Sequence, residues 1–189
     1  DQMDFPNLSS VATDDIAAAK CAVDALFDAG HTKIGILGGD IEKSYTSHQR
    51  FIGCQQSFLE HDTVFVPEKS YEKARFSYDS AYRAMKRLIA RCPDITAVFA
   101  MSDVMAIGAI RALRDMDYRV PEDVSVIGFD GTVLAEYYNP KLATIRQQYK
   151  TLAIRSVEIL FGQIELKKEP IYEVVPFEFA NGESIQNLK

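Results

Sequence analysis

Short apolar segments alternate with longer amphipathic segments along almost the whole chain, and this alternation limits the possible folds more than any other feature. A short apolar run predicts a buried strand, whereas apolar positions spaced three and four apart predict a helix. Strands that alternate with helices form repeated β-α-β units, whose strands lie parallel. We therefore predict an α/β fold with an open parallel sheet and helices on both faces.

The predicted elements follow from this pattern. Helices are predicted over residues 14–29, 47–60, 77–91, 102–116 and 149–166. Strands are predicted over residues 33–37, 63–66, 96–99, 124–129 and 172–179, and residues 140–145 are predicted to form an extended crossing segment. Gly30 is predicted to end the first helix, because glycine readily adopts the left-handed conformation found there.

Residues 120–131 carry the most informative motif of the chain. Their sequence is Val-Pro-Glu-Asp-Val-Ser-Val-Ile-Gly-Phe-Asp-Gly, so a proline turn leads into an apolar strand that ends at Asp130. Ligands of open α/β sheets bind at the carboxyl ends of the strands. Asp130 is therefore predicted to contact a ligand, and the alternative is that it caps the turn after the strand.

Composition argues against several classes of protein. The chain has 27 acidic and 21 basic residues and no basic cluster, so its own surface is not predicted to bind nucleic acid. No apolar run approaches the length of a membrane span, and no membrane association is predicted. Cys21, Cys54 and Cys92 lack the spacing of a metal or redox site, which favours reduced thiols in a cytoplasmic protein.

Catalytic and cofactor motifs are also missing from the sequence. His31, His48 and His61 lack the spacing of a metal site, and the glycines at 35, 38 and 39 lack the residues that complete a phosphate loop or dinucleotide fingerprint. No Gly-x-Ser-x-Gly elbow occurs. We therefore predict no metal, no cofactor and no enzymatic activity.

Six motifs, in order and at plausible spacing, resemble those of the LacI/GalR family of bacterial transcriptional regulators. They are residues 11–15, 29–34, 50–53, 102–109, 120–131 and 140–147. Departures are local: Gln148 stands where a proline is common, and Ala143 where a threonine is common. The resemblance implies a periplasmic-binding-protein-like fold and the effector-binding domain of a repressor or related regulator. The alternative is a sugar-binding protein of an ABC transporter with the same fold.

The resemblance also implies how the chain is organised. Residues 14–145 would form the C-terminal effector-binding subdomain, residues 1–13 and 149–175 an incomplete N-terminal subdomain, and residues 176–189 a returning strand and tail. The DNA-binding helix-turn-helix of the family has no counterpart here, so DNA would be contacted only through an upstream segment. A homodimer is expected, formed along helices 47–60 and 102–116 or the neighbouring strands. The helix over 149–166 would then expose apolar residues.

Arg50 and Asp130 form the centre of the predicted ligand site. A guanidinium can donate a pair of hydrogen bonds to neighbouring hydroxyls or to a base edge, and a carboxylate accepts from hydroxyl or amine donors. These groups suit a neutral polar effector, most simply a sugar, with a purine as the other candidate. The alternative for Arg50 is a surface salt bridge.

Six further residues complete the predicted site, each with a structural alternative. Phe76 could stack on the effector or pack at the entry of the following helix. Ser102 and Asp103 could contact the effector or cap a helix, and Gln147 could reach the cleft or form a hinge hydrogen bond. Ser44 and Thr46, together with Tyr45 between them, lie in a loop that a pocket of this family would use.

Overall fold

The computed structural model describes residues 8–166 and 169–189. The strands are β1 (Ser10–Thr13), β2 (Ile34–Gly38), β3 (Tyr71–Lys73), β4 (Ala97–Ala100), β5 (Ser125–Asp130), β6 (Ala143–Gln147), β7 (Tyr172–Val175) and β8 (Phe177–Ala180). The helices are α1 (Asp15–Asp28), α2 (Tyr45–Glu60), α3 (Pro67–Ser70), α4 (Tyr78–Arg91), α5 (Asp103–Asp115), α6 (Val133–Tyr137) and α7 (Tyr149–Leu166).

Six strands form the main sheet in the order β3-β2-β4-β5-β6-β8. All neighbouring pairs are parallel except β6 and β8, which run antiparallel at one edge. The predicted α/β fold with an open, mostly parallel sheet is thereby confirmed. The carboxyl ends of β2, β4, β5 and β6 consequently lie along one edge of this sheet, which we call the carboxyl edge.

Helices cover both faces of the main sheet, and the strands bury side chains on both. Val98 and Ala100 pack in a core with α4 and α5, while Phe99, between them in β4, packs in a second core with α1 and α2. Successive residues of a strand point to opposite faces, which explains why the central strands are apolar throughout.

Polar side chains begin four of the helices. Asp14, Ser44, Ser77 and Ser102 each accept a hydrogen bond from a backbone N–H in the first turn of the helix that follows. Such caps satisfy N–H groups that have no partner within the helix. Of the two predicted cap residues of α5, Ser102 is therefore the one that caps, and Gly30, at φ +93°, follows the end of α1.

A second, two-stranded sheet lies apart from the main one. It pairs β1 with β7 in parallel, and α7 packs beside it through the buried Ile159. Arg155 of α7 makes two charged hydrogen bonds of 2.7 Å to Glu173 of β7. Much of α7 is exposed, including the apolar residues Tyr149, Ile154, Val157, Leu160, Phe161 and Ile164. The predicted exposure of an apolar helix face is observed.

Three predicted elements differ from the structure. Residues 63–66 are not a strand. Phe65 packs, partly buried, against the rings of Phe51 and Phe58, and the edge strand forms later, at β3. Residues 172–179 form two strands in different sheets, since Pro176 between them has no N–H to donate. The segment that begins at Pro140 is extended as predicted, but over Ala143–Gln147 it is a strand of the main sheet.

The C-terminal segment is held against the main sheet by Ser184, which is fully buried. Its hydroxyl accepts a hydrogen bond of 2.9 Å from the Ala143 N–H and donates one of 2.5 Å to the Val126 carbonyl. The backbone carbonyl of Ser184 also accepts from the Val126 N–H at 2.8 Å. One serine thus ties the segment to β5 and β6.

We expect Ser184→Ala to lower the free energy of unfolding by about 2–4 kcal/mol, because it leaves two buried backbone groups without a partner. Urea unfolding followed by circular dichroism measures this. Asn181→Ala, in the exposed part of the same segment, is the control and should change stability by less than about 0.5 kcal/mol. Equal stability of the two variants would contradict this role of the hydroxyl.

Candidate functional site

The carboxyl edge of the main sheet brings together residues that are far apart in the sequence. Asp130 is the last residue of β5, and Gln147 is the last residue of β6, the neighbouring strand. Ser102 follows β4, and Arg50 reaches the same edge from α2, where it contacts the carbonyl that follows β4. The edge therefore carries both signs of charge together with neutral donors and acceptors.

Arg50 is buried, with 5% of its surface exposed, and its guanidinium is fixed on three sides. Nε donates to Asp15 at the start of α1 at 2.8 Å, and one terminal nitrogen donates to the Met101 carbonyl. The carbon of the guanidinium lies 3.6 Å from the ring centroid of Phe129. A cation over an aromatic face is attracted by the electrons of the ring. The side chain is thus oriented before any ligand arrives, and the predicted alternative of a surface salt bridge does not describe it.

Asp130 lies in a half-buried position at the end of β5, with a left-handed φ of 122°. Burial raises the pKa of its carboxyl group to about 6; the positive charge of Arg50 opposes the rise and the negative charge of Asp103 adds to it. A carboxyl group with this pKa is mostly ionised at neutral pH and becomes protonated under mildly acidic conditions. Its oxygens can accept hydrogen bonds from a polar ligand in the ionised state.

Gln147 contacts Asp130 directly. Its Nε2 donates to Oδ1 of Asp130 at 2.9 Å and lies 3.4 Å from the hydroxyl of Tyr149. Its Oε1 accepts a hydrogen bond of 3.1 Å from the hydroxyl of Thr13, at the end of β1. Both roles considered for Gln147 are therefore compatible with its position, since it lies at the site and also bridges the two sheets.

Asp103 is fully buried, and both of its oxygens are engaged. Oδ2 accepts from the N–H and the hydroxyl of Thr132 at 2.7 and 2.9 Å, and Oδ1 accepts from the hydroxyl of Thr144 at 2.6 Å. These bonds fix the loop after β5 relative to β6. Burial raises the pKa of Asp103, and the hydrogen bonds from the two threonines oppose the rise. Ser102, also buried, uses its hydroxyl as the cap of α5.

Ser44 and Phe76 line a neighbouring cleft of about 490 Å³ at the end of β2. Gly39, Lys73 and Ser80 also line this cleft, whereas Arg50 and Asp130 do not. Phe76 exposes 45% of its surface, so its ring is accessible to a ligand. Thr46 lies four residues before Arg50 in α2, which puts both on one face of that helix. The predicted residues thus fall into two adjacent groups.

Several contacts at the carboxyl edge were not predicted from the sequence. Asp15, Thr13, Phe129 and Tyr149 all contact predicted site residues. Phe129 could have been found, because it adjoins Asp130 in the same motif. Asp15 pairs with a residue 35 positions later and Thr13 with one 134 positions later, and no local pattern carries such pairings.

Within residues 8–166 and 169–189, no three histidine, cysteine or acidic side chains are placed to hold a metal ion. In the same residues, no helix is both long and apolar enough to cross a membrane. A larger cleft of about 750 Å³ lies between α1 and the C-terminal segment, away from Arg50 and Asp130. Its lining includes Lys20, Asp24 and Phe179.

Comparison with known proteins identifies relatives over most of the chain. Residues 23–185 match the family described as periplasmic binding protein-like domain. The HTH-type transcriptional repressor PurR of Pasteurella multocida is 38% identical over 144 residues, which are 76% of this chain and 42% of that protein. The HTH-type transcriptional regulator MalR of Clostridium butyricum is 33% identical over 150 residues, 79% of this chain and 44% of that protein. The chain spans about half the length of these curated relatives.

Solved structures agree with these matches. The complex of the transcriptional regulator CelR with cellobiose has a TM-score of 0.90 and 30% identity, and the match covers 95% of this chain and 54% of that one. A LacI family regulator of Enterococcus faecium with bound ribose has a TM-score of 0.89 and 27% identity over 100% of this chain and 69% of that one. These relatives are transcriptional regulators, not enzymes. The chain therefore belongs to the periplasmic binding protein-like family, in the form found in LacI/GalR regulators.

Proposed function

We propose that this chain is the effector-binding region of a LacI-type transcriptional regulator and senses a small, neutral, polar molecule. The observation that supports this most is that the fixed guanidinium of Arg50 and the carboxylate of Asp130 share the carboxyl edge and are close enough to interact electrostatically. A preoriented donor group and a charged acceptor bind polyols and nucleobases without transforming them. The effector would act by binding one conformation of the regulator more tightly than another.

A sugar is the effector class that we favour, and a purine is the other candidate. Two structural neighbours carry cellobiose and ribose, and one sequence relative is named PurR. We propose that Arg50 and Asp130 hydrogen-bond the effector and that Gln147 also lies at this site. Phe76, Ser44 and Thr46 would contact it from the neighbouring cleft, while Ser102 and Asp103 would hold the loops from which these contacts are made.

We further propose that the chain contributes to two lobes. The division at residues 14–145, with residues 1–13 and 149–175 in a second lobe, is supported by the separate sheet of β1 and β7. The exposed apolar face of α7 would then pack against the remainder of that lobe in the full-length regulator. DNA would be bound by a further segment upstream, and the regulator would act in the cytoplasm, where its operator lies.

A homodimer is the other proposed assembly. The sequence prediction placed its interface along helices 47–60 and 102–116 or the neighbouring strands, and α6 offers a different surface for it. Val133, Leu134 and Tyr137 are exposed on this short helix, with 75% of the surface of Val133 accessible. Ala135, between them, is buried against α4 and α5, so the helix is anchored with its apolar residues facing outward. Contiguous exposed apolar residues are typical of an interface. We propose that a second copy of this chain covers them.

Replacing Val133 by Asp tests this dimer. We expect Val133→Asp to shift the chain from dimer to monomer in light scattering at micromolar concentration, because it would bury a charge in the interface. Val64→Asp is the matched control, since Val64 is also exposed, at 84%, but lies elsewhere. A dimer that survives in both variants, or a wild-type chain that is monomeric throughout the concentration range, would contradict the α6 interface.

The proposed function is tested by titrating the chain with cellobiose, ribose, other mono- and disaccharides and free purines in a calorimeter. Binding of one class, weakened in Asp130→Asn and lost in Arg50→Leu, is the expected result. Binding that survives in both variants would place the effector elsewhere. A full-length regulator that binds no member of the panel would contradict the proposed effector class.

A further inference from the structure

Three crossing segments join the two sheets among the residues that the structure describes, and two of them are linked to each other by a hydrogen bond between Thr13 and Gln147. Thr13 ends β1 just before α1 begins, and Gln147 ends β6 just before α7 begins at Tyr149. The third crossing lies at Pro176, between β7 and β8. Gln147 is therefore the residue at which two crossings meet, and its amide also bonds Asp130.

The hydrogen bonds at this point form a directed chain. The hydroxyl of Thr13 donates to Oε1 of Gln147, so the amide is oriented with Nε2 toward Asp130, to which it donates. Tyr149 also hydrogen-bonds Asp130. Thr13 is buried, and Gln147 and Asp130 are half-buried, so these bonds are partly shielded from water. We call Thr13, Gln147 and Asp130 the relay.

We propose that Gln147, held by Thr13, is the positioning residue that couples a ligand on Asp130 to the relative arrangement of the two sheets. The inference deepens the proposed function and rests on it for the ligand. A ligand hydroxyl that takes Oδ1 of Asp130 must displace Nε2 of Gln147 or share the oxygen with it. Either change shifts the Gln147 amide, whose Oε1 holds Thr13 of the other crossing, so occupancy and sheet arrangement affect each other reciprocally.

Charged and titratable groups from several elements face Asp130, and together they affect the pKa of its carboxyl group. Arg50 of α2 favours the ionised carboxylate, whereas Asp103 of α5 disfavours it. Tyr149 of α7 and Gln147 of β6 both favour the ionised form by donating hydrogen bonds. Removing the Gln147 donor therefore raises the pKa of Asp130. Removing the Thr13 hydroxyl, which orients that donor, raises the pKa to a smaller extent.

The relay can be tested without a ligand by NMR titration of the Asp130 carboxyl carbon. We expect Gln147→Leu to raise the apparent pKa of Asp130 by roughly half a unit or more, and Thr13→Val to raise it by less. Thr13→Ser keeps the hydroxyl and should restore the wild-type value. Thr32→Val, on an exposed loop at the opposite end of β2, is the matched control and should not move it.

Hydrogen exchange tests the coupling to the second sheet. Amides of the β1–β7 pair, such as that of Ser10, which donates to the Ile171 carbonyl at 3.0 Å, should exchange about tenfold faster in Gln147→Leu than in the wild type. Amides in the middle of the main sheet should keep their exchange rates. A ligand identified by calorimetry should change exchange of β1–β7 in the wild type and not in Gln147→Leu.

The outcomes separate the two proposals. If the Asp130 titration is the same in the wild type, Thr13→Val and Gln147→Leu, the relay is overturned even where effectors bind. If β1–β7 exchange is unaffected by Gln147→Leu, the coupling is overturned. Shifts in both measurements without binding of any sugar or purine support the relay and contradict the proposed effector class instead.

Discussion

Asp130→Asn is expected to weaken effector binding while leaving the fold more stable at neutral pH. The raised pKa of about 6 means that folding favours the protonated carboxyl group. Its contribution to stability is therefore fully present at low pH and is lost as pH rises through about 6. Asparagine does not ionise, so at pH 7.5 the variant should be more stable than the wild type by about 1–2 kcal/mol, after allowance for partial exposure.

The affinity of the same variant for the effector should decrease. Loss of a charged acceptor weakens a hydrogen bond to the effector by about 1.5–3 kcal/mol, which corresponds to an affinity loss of roughly 10- to 150-fold. Urea unfolding between pH 4.5 and 7.5 and calorimetric titration measure the two effects. The stability advantage should narrow as the pH falls below 6.

Asp117→Asn is the matched control for this variant, because Asp117 also has a left-handed φ, of 64°, but is exposed and follows the C-terminal end of α5, the end away from the carboxyl edge. It should change neither binding nor the pH dependence of stability. An Asp130→Asn variant that is less stable than the wild type at pH 7.5 would show that the carboxylate stabilises the fold. The conclusion that burial of the ionised Asp130 carboxylate destabilises the fold would then be wrong.

Arg50→Leu is expected to be the most destabilising single change at the site. It leaves the carboxylate of Asp15, only 19% exposed in its side chain, without its cationic partner, and it removes the donor to the Met101 carbonyl. Breaking a buried ion pair from one side costs about 3–5 kcal/mol. Urea unfolding should show a loss in this range, and effector binding should fall below detection.

A double-mutant cycle separates the ion pair from the packing of the arginine. Asp15→Ala combined with Arg50→Leu should recover part of the loss, because no unpaired charge remains. Glu60→Ala is the control, since Glu60 pairs with Lys20 across the same two helices at 2.8 Å but is exposed, and it should cost less than about 1 kcal/mol. Additive effects of Asp15→Ala and Arg50→Leu would contradict an energetic link between them.

Much of the fold was predictable because its signals are local. The cap at Ser102, the end of α1 at Gly30 and the apolar strand ending at Asp130 each depend on neighbouring residues. The prediction of a strand over residues 63–66 was wrong because it also used only a local signal. An apolar run shows only that a segment packs against other apolar residues, and Phe65 does so, partly buried, on the rings of Phe51 and Phe58 without strand pairing.

The candidate site could be predicted only in part. The motif around Asp130 and the chemistry of Arg50 indicated a ligand site, and its use by an effector stays a prediction. The contacts that orient these residues were not predictable, since Asp15 reaches Arg50 only when α1 packs against α2. Likewise, the order of the strands, which sets β6 beside β5, is what places Gln147 against Asp130.

The sequence by itself determined the layered α/β architecture, the caps of the helices and the presence of a carboxylate at a strand end, because periodicity and capping act within a few residues. Only the tertiary structure decided that Pro176 separates two sheets and that Thr13 and Asp130 both bond the amide of Gln147. Contacts across 134 positions depend on how the strands are ordered and on how the chain crosses between sheets. Short-range propensities do not specify either one.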